Sequence, residues 1–139
     1  MIPAAKPLIG DEERAAVDRV LRSGMLAQGP EVAAFEEEFS KHVGGRHCVA
    51  MNSGTSALHL GFIAGGIKPG DEVIVPSFSF AATANSVVLA GGVPVFADID
   101  PKTFNIDPNH VESLITKKTK AIMPVHLYGH IAAMEELNV

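Results

Sequence analysis

Cys48-Val49-Ala50-Met51-Asn52-Ser53-Gly54-Thr55-Ser56-Ala57-Leu58-His59-Leu60 passes from a short apolar stretch through a Ser/Thr/Gly loop into a run of helix formers. The pattern predicts a strand over Cys48–Met51 and a helix over Thr55–Ala64. The same alternation continues downstream. Lys68-Pro69-Gly70-Asp71 reads as a turn, Glu72–Val75 as a strand and Phe80–Leu89 as a helix broken by Gly91-Gly92. Val93–Phe96 is a third strand, Pro108–Ile115 a helix and Ala121–Val125 a fourth strand. Near-continuous apolar strands separated by helices imply a mostly parallel sheet covered on both faces, an α/β three-layer sandwich.

Upstream the period changes. Asp11–Arg22 sets Ala15, Val17, Val20 and Leu21 among charged neighbours, and Ser23-Gly24 ends the run. Pro30 opens a second amphipathic helix through Val32, Phe35 and Phe39, closed by Gly44-Gly45. Its Glu36-Glu37-Glu38 run is expected on the solvated face. Residues 1–45 therefore read as a helical segment and 46–139 as an α/β domain.

Composition narrows the function. Of 139 residues, 47% are hydrophobic and 19% charged, which suits a globular chain with one real core. A formal net charge of −5, with neither basic runs nor interleaved aromatics, argues against nucleic acid and anionic membranes as partners. No apolar run approaches a membrane span, and Met1-Ile2-Pro3 does not start like a signal peptide. Cys48 is the single cysteine, so an internal disulfide is impossible and a cytoplasmic location is expected.

Asn52–Ser56 lies where a predicted strand gives way to a helix, the edge at which open α/β sheets bind ligands. The first N–H groups of a helix lack internal partners and carry partial positive charge, so they suit an oxyanion. Gly54 lets the backbone come close, and Ser53, Thr55 and Ser56 add hydroxyl donors. An ordinary N-capped helix explains the same residues. The loop is neither a Walker loop nor a G-x-G-x-x-G fingerprint, which disfavours nucleoside triphosphates and dinucleotides. At the next strand end, Phe78 and Phe80 stand in a Ser-rich turn; they either stack on a flat ligand ring or plug the top of the sheet.

Taken together, the motifs are more specific. Asn52–Leu60 is followed by Gly70–Asn85, then by Gly92-Val93-Pro94-Val95-Phe96-Ala97-Asp98-Ile99-Asp100 and Val125-His126-Leu127-Tyr128-Gly129-His130. In this order and spacing the chain resembles the front part of the DegT-type sugar aminotransferases, fold-type I enzymes that use pyridoxal phosphate. Gly24–Pro30 and Phe35–Phe39 resemble that family's opening; Ile131 departs from it, since many relatives have proline there. The resemblance implies that Gly54, Thr55 and Ser56 bind the cofactor phosphate and that Phe80 stacks on its ring. It implies an amino group moving from glutamate to a nucleotide-linked keto-sugar, in amino-sugar or lipopolysaccharide biosynthesis, by a homodimer. A sugar dehydratase on the same scaffold, or a non-catalytic regulator or assembly protein, are the alternatives.

Transamination also needs a lysine that carries the cofactor and a carboxylate that holds the pyridine nitrogen. In the family both lie downstream of the residues present here, so the chain reads as a truncated, by itself inactive, portion. Lys6, Lys41, Lys68, Lys102, Lys117, Lys118 and Lys120 all read as surface residues. His126 and His130 lack a third metal ligand nearby. His59 reads as a packed histidine, Asp98 and Asp100 as turn-formers before Pro101, and Cys48 as a buried strand residue. A sheet missing strands exposes edges that pair elsewhere. The 139-residue chain is accordingly expected to self-associate or to melt at low temperature; light scattering showing a monodisperse monomer with a sharp calorimetric transition would contradict this.

Overall fold

Val73, Ile74 and Val75 have no exposed surface at all, and they occupy the middle strand of the sheet. The computed structural model describes residues 5–138, so Met1-Ile2-Pro3 lies outside it. The elements are helices α1 (Asp11–Ser23), α2 (Pro30–His42) and α3 (Gly54–Ala64), then strand β1 (Glu72–Pro76) and α4 (Ala82–Leu89). They continue with β2 (Val93–Ala97), α5 (Pro108–Leu114), β3 (Thr119–Ile122), a 3-10 turn (Leu127–Gly129) and α6 (Met134–Leu137). The chain folds as two units, Met1–Ala50 and Met51–Val139.

In the second unit β1 pairs in parallel with β2 on one side and with β3 on the other, giving the order β2-β1-β3. Successive side chains of β1 point to opposite faces. Val73 and Val75 pack with Val87 of α4 and with Phe62 and Ile67. Ile74 packs on the other face with Ala97, Ile106 and Val111, and with Leu114, Ile122 and Leu137 around them. Helices thus cover both faces of a parallel sheet, the α/β layering the strand pattern implies. Each fully buried Val or Ile contributes about 1.5–3 kcal/mol, more than one hydrogen bond's net worth of about 1 kcal/mol. Burial of β1 is therefore the main stabilising term of this unit.

Two predicted strands differ in the structure. Cys48–Met51 is extended but has no ladder partner among the described residues. A strand exists only where a neighbour takes its N–H and C=O groups. Instead the Ala50 N–H donates to the Glu36 carboxylate (2.7 Å), which groups Arg46–Ala50 with the helical unit. The same bond takes half-buried Glu36 out of the solvated charge run, while Glu37 stays exposed in a 3.3 Å pair with Lys41. Cys48 is half-buried and donates to the Arg46 carbonyl (3.4 Å), so it is not a core strand residue. β3 covers Thr119–Ile122, earlier than the expected Ala121–Val125. Met123 N–H still reaches the Ile74 carbonyl (2.8 Å), but Pro124 has no N–H to continue the ladder.

Within the first unit, α1 begins with the Gly10 N–H donating to Glu13 (2.6 Å) and ends at Gly24, which is left-handed (φ 71°). Neither α1 nor α2 buries a residue; Val17, Leu21, Phe35 and Phe39 stay largely exposed.

Gly92 leads into β2 from the turn after α4. A Cβ there would sit 2.9 Å from Ile67 Cγ2, 3.0 Å from Val87 Cγ1 and 3.3 Å from the Asp71 carbonyl. Gly92→Ala is expected to destabilise the chain by about 1–3 kcal/mol, read as a lower midpoint in denaturant. An unchanged midpoint would mean that the neighbouring side chains yield freely.

Candidate functional site

The connection leaving β1 runs to α4, on the Val73/Val75 face. The one leaving the neighbouring β3 runs to α6, whose Leu137 packs on the Ile74 face. Chains departing to opposite faces from adjacent parallel strands open a crevice at the strands' carboxyl ends. A cleft of about 470 Å³ opens here. Ser79, Phe80, Ala82 and Thr83 line it after β1, Met123-Pro124-Val125 after β3, and Gly54, Thr55 and Leu58 from α3. Its size falls in the range of small-ligand sites.

α3 packs against α4, which brings its first turn to this edge. Ser53 caps the helix: its Oγ accepts from the Ser56 N–H (3.1 Å) and donates to Ser56 Oγ (3.0 Å). The cap uses the third N–H of the helix and leaves the first two, of Gly54 and Thr55, without a partner among the described residues. No acidic side chain occupies the first turn to oppose an anion. A Cβ on Gly54 would meet nothing within 4 Å, and its φ is not left-handed. Neither packing nor backbone conformation demands glycine at this point; what it leaves is open space directly against the helix end. The cap-and-cradle alternatives of the sequence are thus compatible, since Ser53 performs the first and leaves the second free.

The two aromatics part company. Phe78 leans on Phe104, ring centroids 6.0 Å apart and tilted 51°, and is not among the residues lining the cleft. Phe80 lies two residues before α4, outside the helix the sequence predicts for it, and is 79% exposed on the cleft wall. Of the four expected cofactor residues, Gly54, Thr55 and Phe80 share this cleft; Ser56 sits one residue beyond its lining. Ser79, Thr83 and Met123–Val125 are additional wall residues. Their only signal in the sequence was their position at strand ends.

The remaining candidates settle into local roles. All seven lysines are exposed, and no ionisable side chain is among the residues lining the cleft. No cluster of three or more metal-ligating side chains occurs among the described residues. His126 Nδ1 accepts from the Ala132 N–H (3.1 Å), and buried Asn105 bridges Leu127 N–H and the His130 carbonyl (3.1 and 3.0 Å). His59 is half-buried on α3. The Asp98 N–H donates to His110 Nδ1 (2.8 Å), and the Asp98 carboxylate lies 3.5 Å from the same nitrogen. Asp100 forms the turn expected of it, accepting from Lys102 and Thr103 N–H groups, both at 2.8 Å.

Comparison with known proteins identifies the family. Residues 7–139 match the DegT/DnrJ/EryC1/StrS aminotransferase family. The chain is 48% identical over 136 residues to the spore coat polysaccharide biosynthesis protein SpsC of Bacillus subtilis, covering 98% of this chain and 35% of that protein. It is 46% identical over 130 residues to UDP-2-acetamido-2-deoxy-3-oxo-D-glucuronate aminotransferase of Pseudomonas aeruginosa, covering 94% and 36%. Among solved structures, NtdA from Bacillus subtilis with bound cofactor PMP superposes with a TM-score of 0.84 at 41% identity, covering 94% and 31%. The chain spans about a third of the length of the curated relatives it matches.

Asp100 gives the strand-end turns a pH signature. The Thr103 and then the Lys102 N–H groups hold its carboxyl below the ordinary carboxylate value. With the folded pKa depressed, the stabilisation is complete above the unfolded value of about 3.9 and lost as pH falls through the folded one. The melting-temperature gap between wild type and Asp100→Asn is expected to be constant at neutral pH and to close below about pH 4; a gap that widens on acidification would refute it.

Proposed function

Because the chain belongs to the DegT/DnrJ/EryC1/StrS aminotransferase family, we propose that it forms the phosphate cradle and ring wall of a pyridoxal phosphate site. The whole enzyme in this reading moves an amino group from glutamate to a nucleotide-linked keto-sugar, as part of amino-sugar or polysaccharide synthesis. The family's members are pyridoxal phosphate enzymes, and the solved relative NtdA holds the cofactor as PMP. The observation carrying the proposal is that two unpartnered N–H groups at Gly54 and Thr55 share one cleft with the exposed ring of Phe80.

The residues divide the work by chemistry. Gly54 and Thr55 N–H groups donate to phosphate oxygens, with the α3 dipole adding about 0.3–2 kcal/mol. Thr55 and Ser56 hydroxyls add donors; Ser56 Oγ accepts from Ser53 and keeps its own proton available. Phe80 stacks on the flat ring, worth about 0.5–1.5 kcal/mol beyond buried area. When bound, pyridoxal phosphate supplies the electron sink that amino transfer requires. The absence of an ionisable group among the cleft's lining residues supports assigning the carrier lysine and the pyridine-facing carboxylate to parts of the enzyme outside these residues. The preference of the Pseudomonas relative for a UDP-linked 3-keto sugar, stated in its name, supports the substrate class. The exposed apolar residues of α1 and α2 support assembly as a homodimer, and no described helix is long and apolar enough to cross a membrane.

These terms sum to a few kcal/mol, whereas micromolar affinity needs about 8 kcal/mol. Residues 1–139 alone are therefore expected to bind pyridoxal phosphate more weakly than micromolar and to show no transaminase activity. Gly54→Val, which fills the open space at the helix end, should abolish what binding there is. Micromolar binding with a shifted cofactor absorbance would overturn the division of labour, and binding unaffected by Gly54→Val would overturn the cradle.

A further inference from the structure

Phe80 is 79% exposed, so no side-chain packing fixes where its ring stands. Its place depends on how the Ser77–Ala81 connection is tied down. One end is held where the Ser77 N–H donates to the Ala97 carbonyl at 2.8 Å. At the other end, two ties converge on one residue. The Thr83 N–H donates to the Phe80 carbonyl (3.0 Å), and Thr83 Oγ1 shares a hydrogen bond with Ser79 Oγ (2.8 Å). Thr83 is itself buried, 5% exposed, and its carbonyl accepts from Ser86 Oγ (3.0 Å), a residue with no exposed surface. A continuous set of hydrogen bonds runs from the core under α4 through Thr83 to the residues on either side of the Phe80 backbone. Nothing in helix formation requires a hydroxyl at position 83, and a β-branched polar residue inside a helix is an indifferent choice on propensity.

We infer that Thr83 is the positioning residue for the ring wall, acting through the Ser79 hydroxyl and the Phe80 carbonyl. The inference rests on the cleft being a pyridoxal phosphate site. Valine replaces the hydroxyl by a methyl of similar shape and keeps the main-chain tie, so Thr83→Val isolates the Ser79 bond. Buried Thr83 also loses less packing with valine than with alanine.

The test reads order at the loop separately from affinity. ¹⁵N relaxation on the 139-residue chain is expected to show rigid Ser79, Phe80 and Ala81 amides in the wild type, with order parameters near about 0.85. In Thr83→Val those amides should fall towards about 0.6 while Val73, Ile74 and Val75 stay unchanged. Ser79→Ala should reproduce the fall, and Thr83→Ser should restore the wild-type values. Pyridoxal phosphate titrated against the same amides should bind about three- to tenfold more weakly to Thr83→Val, the effect of one lost hydrogen bond. Unchanged loop order in both Thr83→Val and Ser79→Ala overturns the inference. If Thr83→Val fails to fold, Ser79→Ala, which removes the same bond from the exposed side, decides it. Wild-type amides that do not respond to pyridoxal phosphate at all would instead overturn the cofactor reading, with loop order still deciding the role of Thr83.

Discussion

β1 is hydrogen-bonded on both edges and buried on both faces, and the placement of the site follows from that double constraint. A strand with Val73, Ile74 and Val75 all inaccessible needs a layer of helix on each side. The connection leaving β1 runs over the Val73/Val75 face and the one leaving β3 over the Ile74 face, so the carboxyl ends of these two neighbouring strands stand apart. The cleft is the space this leaves. Its walls are the first residues of the two diverging connections, which is why Ser79-Phe80 and Met123-Pro124-Val125 meet there although more than forty residues separate them.

The helix end that faces this cleft divides its N–H groups between a side-chain cap and open space. A helix start must satisfy its N–H groups, and Ser53 satisfies the one at Ser56. A Cβ on Gly54 would meet nothing within 4 Å, so the space against the first helical position stays open. The cap therefore leaves the first two N–H groups of the helix without a partner among the described residues.

Much of the α/β order could be read from residue types. The turns at Lys68–Asp71 and the Gly91-Gly92 break bracket the predicted strands and helices, and these elements formed within a few residues of expectation. Asp100 behaved as the turn-former its place before Pro101 implied. The reading failed at Cys48–Met51 and at the end of β3, for related reasons. An apolar tetrapeptide carries a strand's composition, but pairing is a property of its neighbours. A proline is visible in sequence, yet the residue at which it ends a ladder depends on register. Glu36 was read with its acidic neighbours as a solvated face, because a side-chain bond to Ala50, fourteen residues away, leaves no periodic trace.

The sequence by itself determined the class of fold, the Asn52–Ser56 loop as the cap of a helix, and the family whose motif order the chain follows. Each is encoded locally: by apolar runs, by cap chemistry, by spacing along the chain. Only the tertiary structure decided that Gly54, Thr55 and Phe80 share a cleft while Ser56 spends its N–H on the cap. It also decided that Phe78 leans on Phe104 while Phe80 lines the cleft, and that Thr83 links the core to the loop carrying Phe80. Those outcomes depend on which strands become neighbours and which faces their connections take. They arise from burial and hydrogen-bond satisfaction over the whole unit, which no single window of sequence contains.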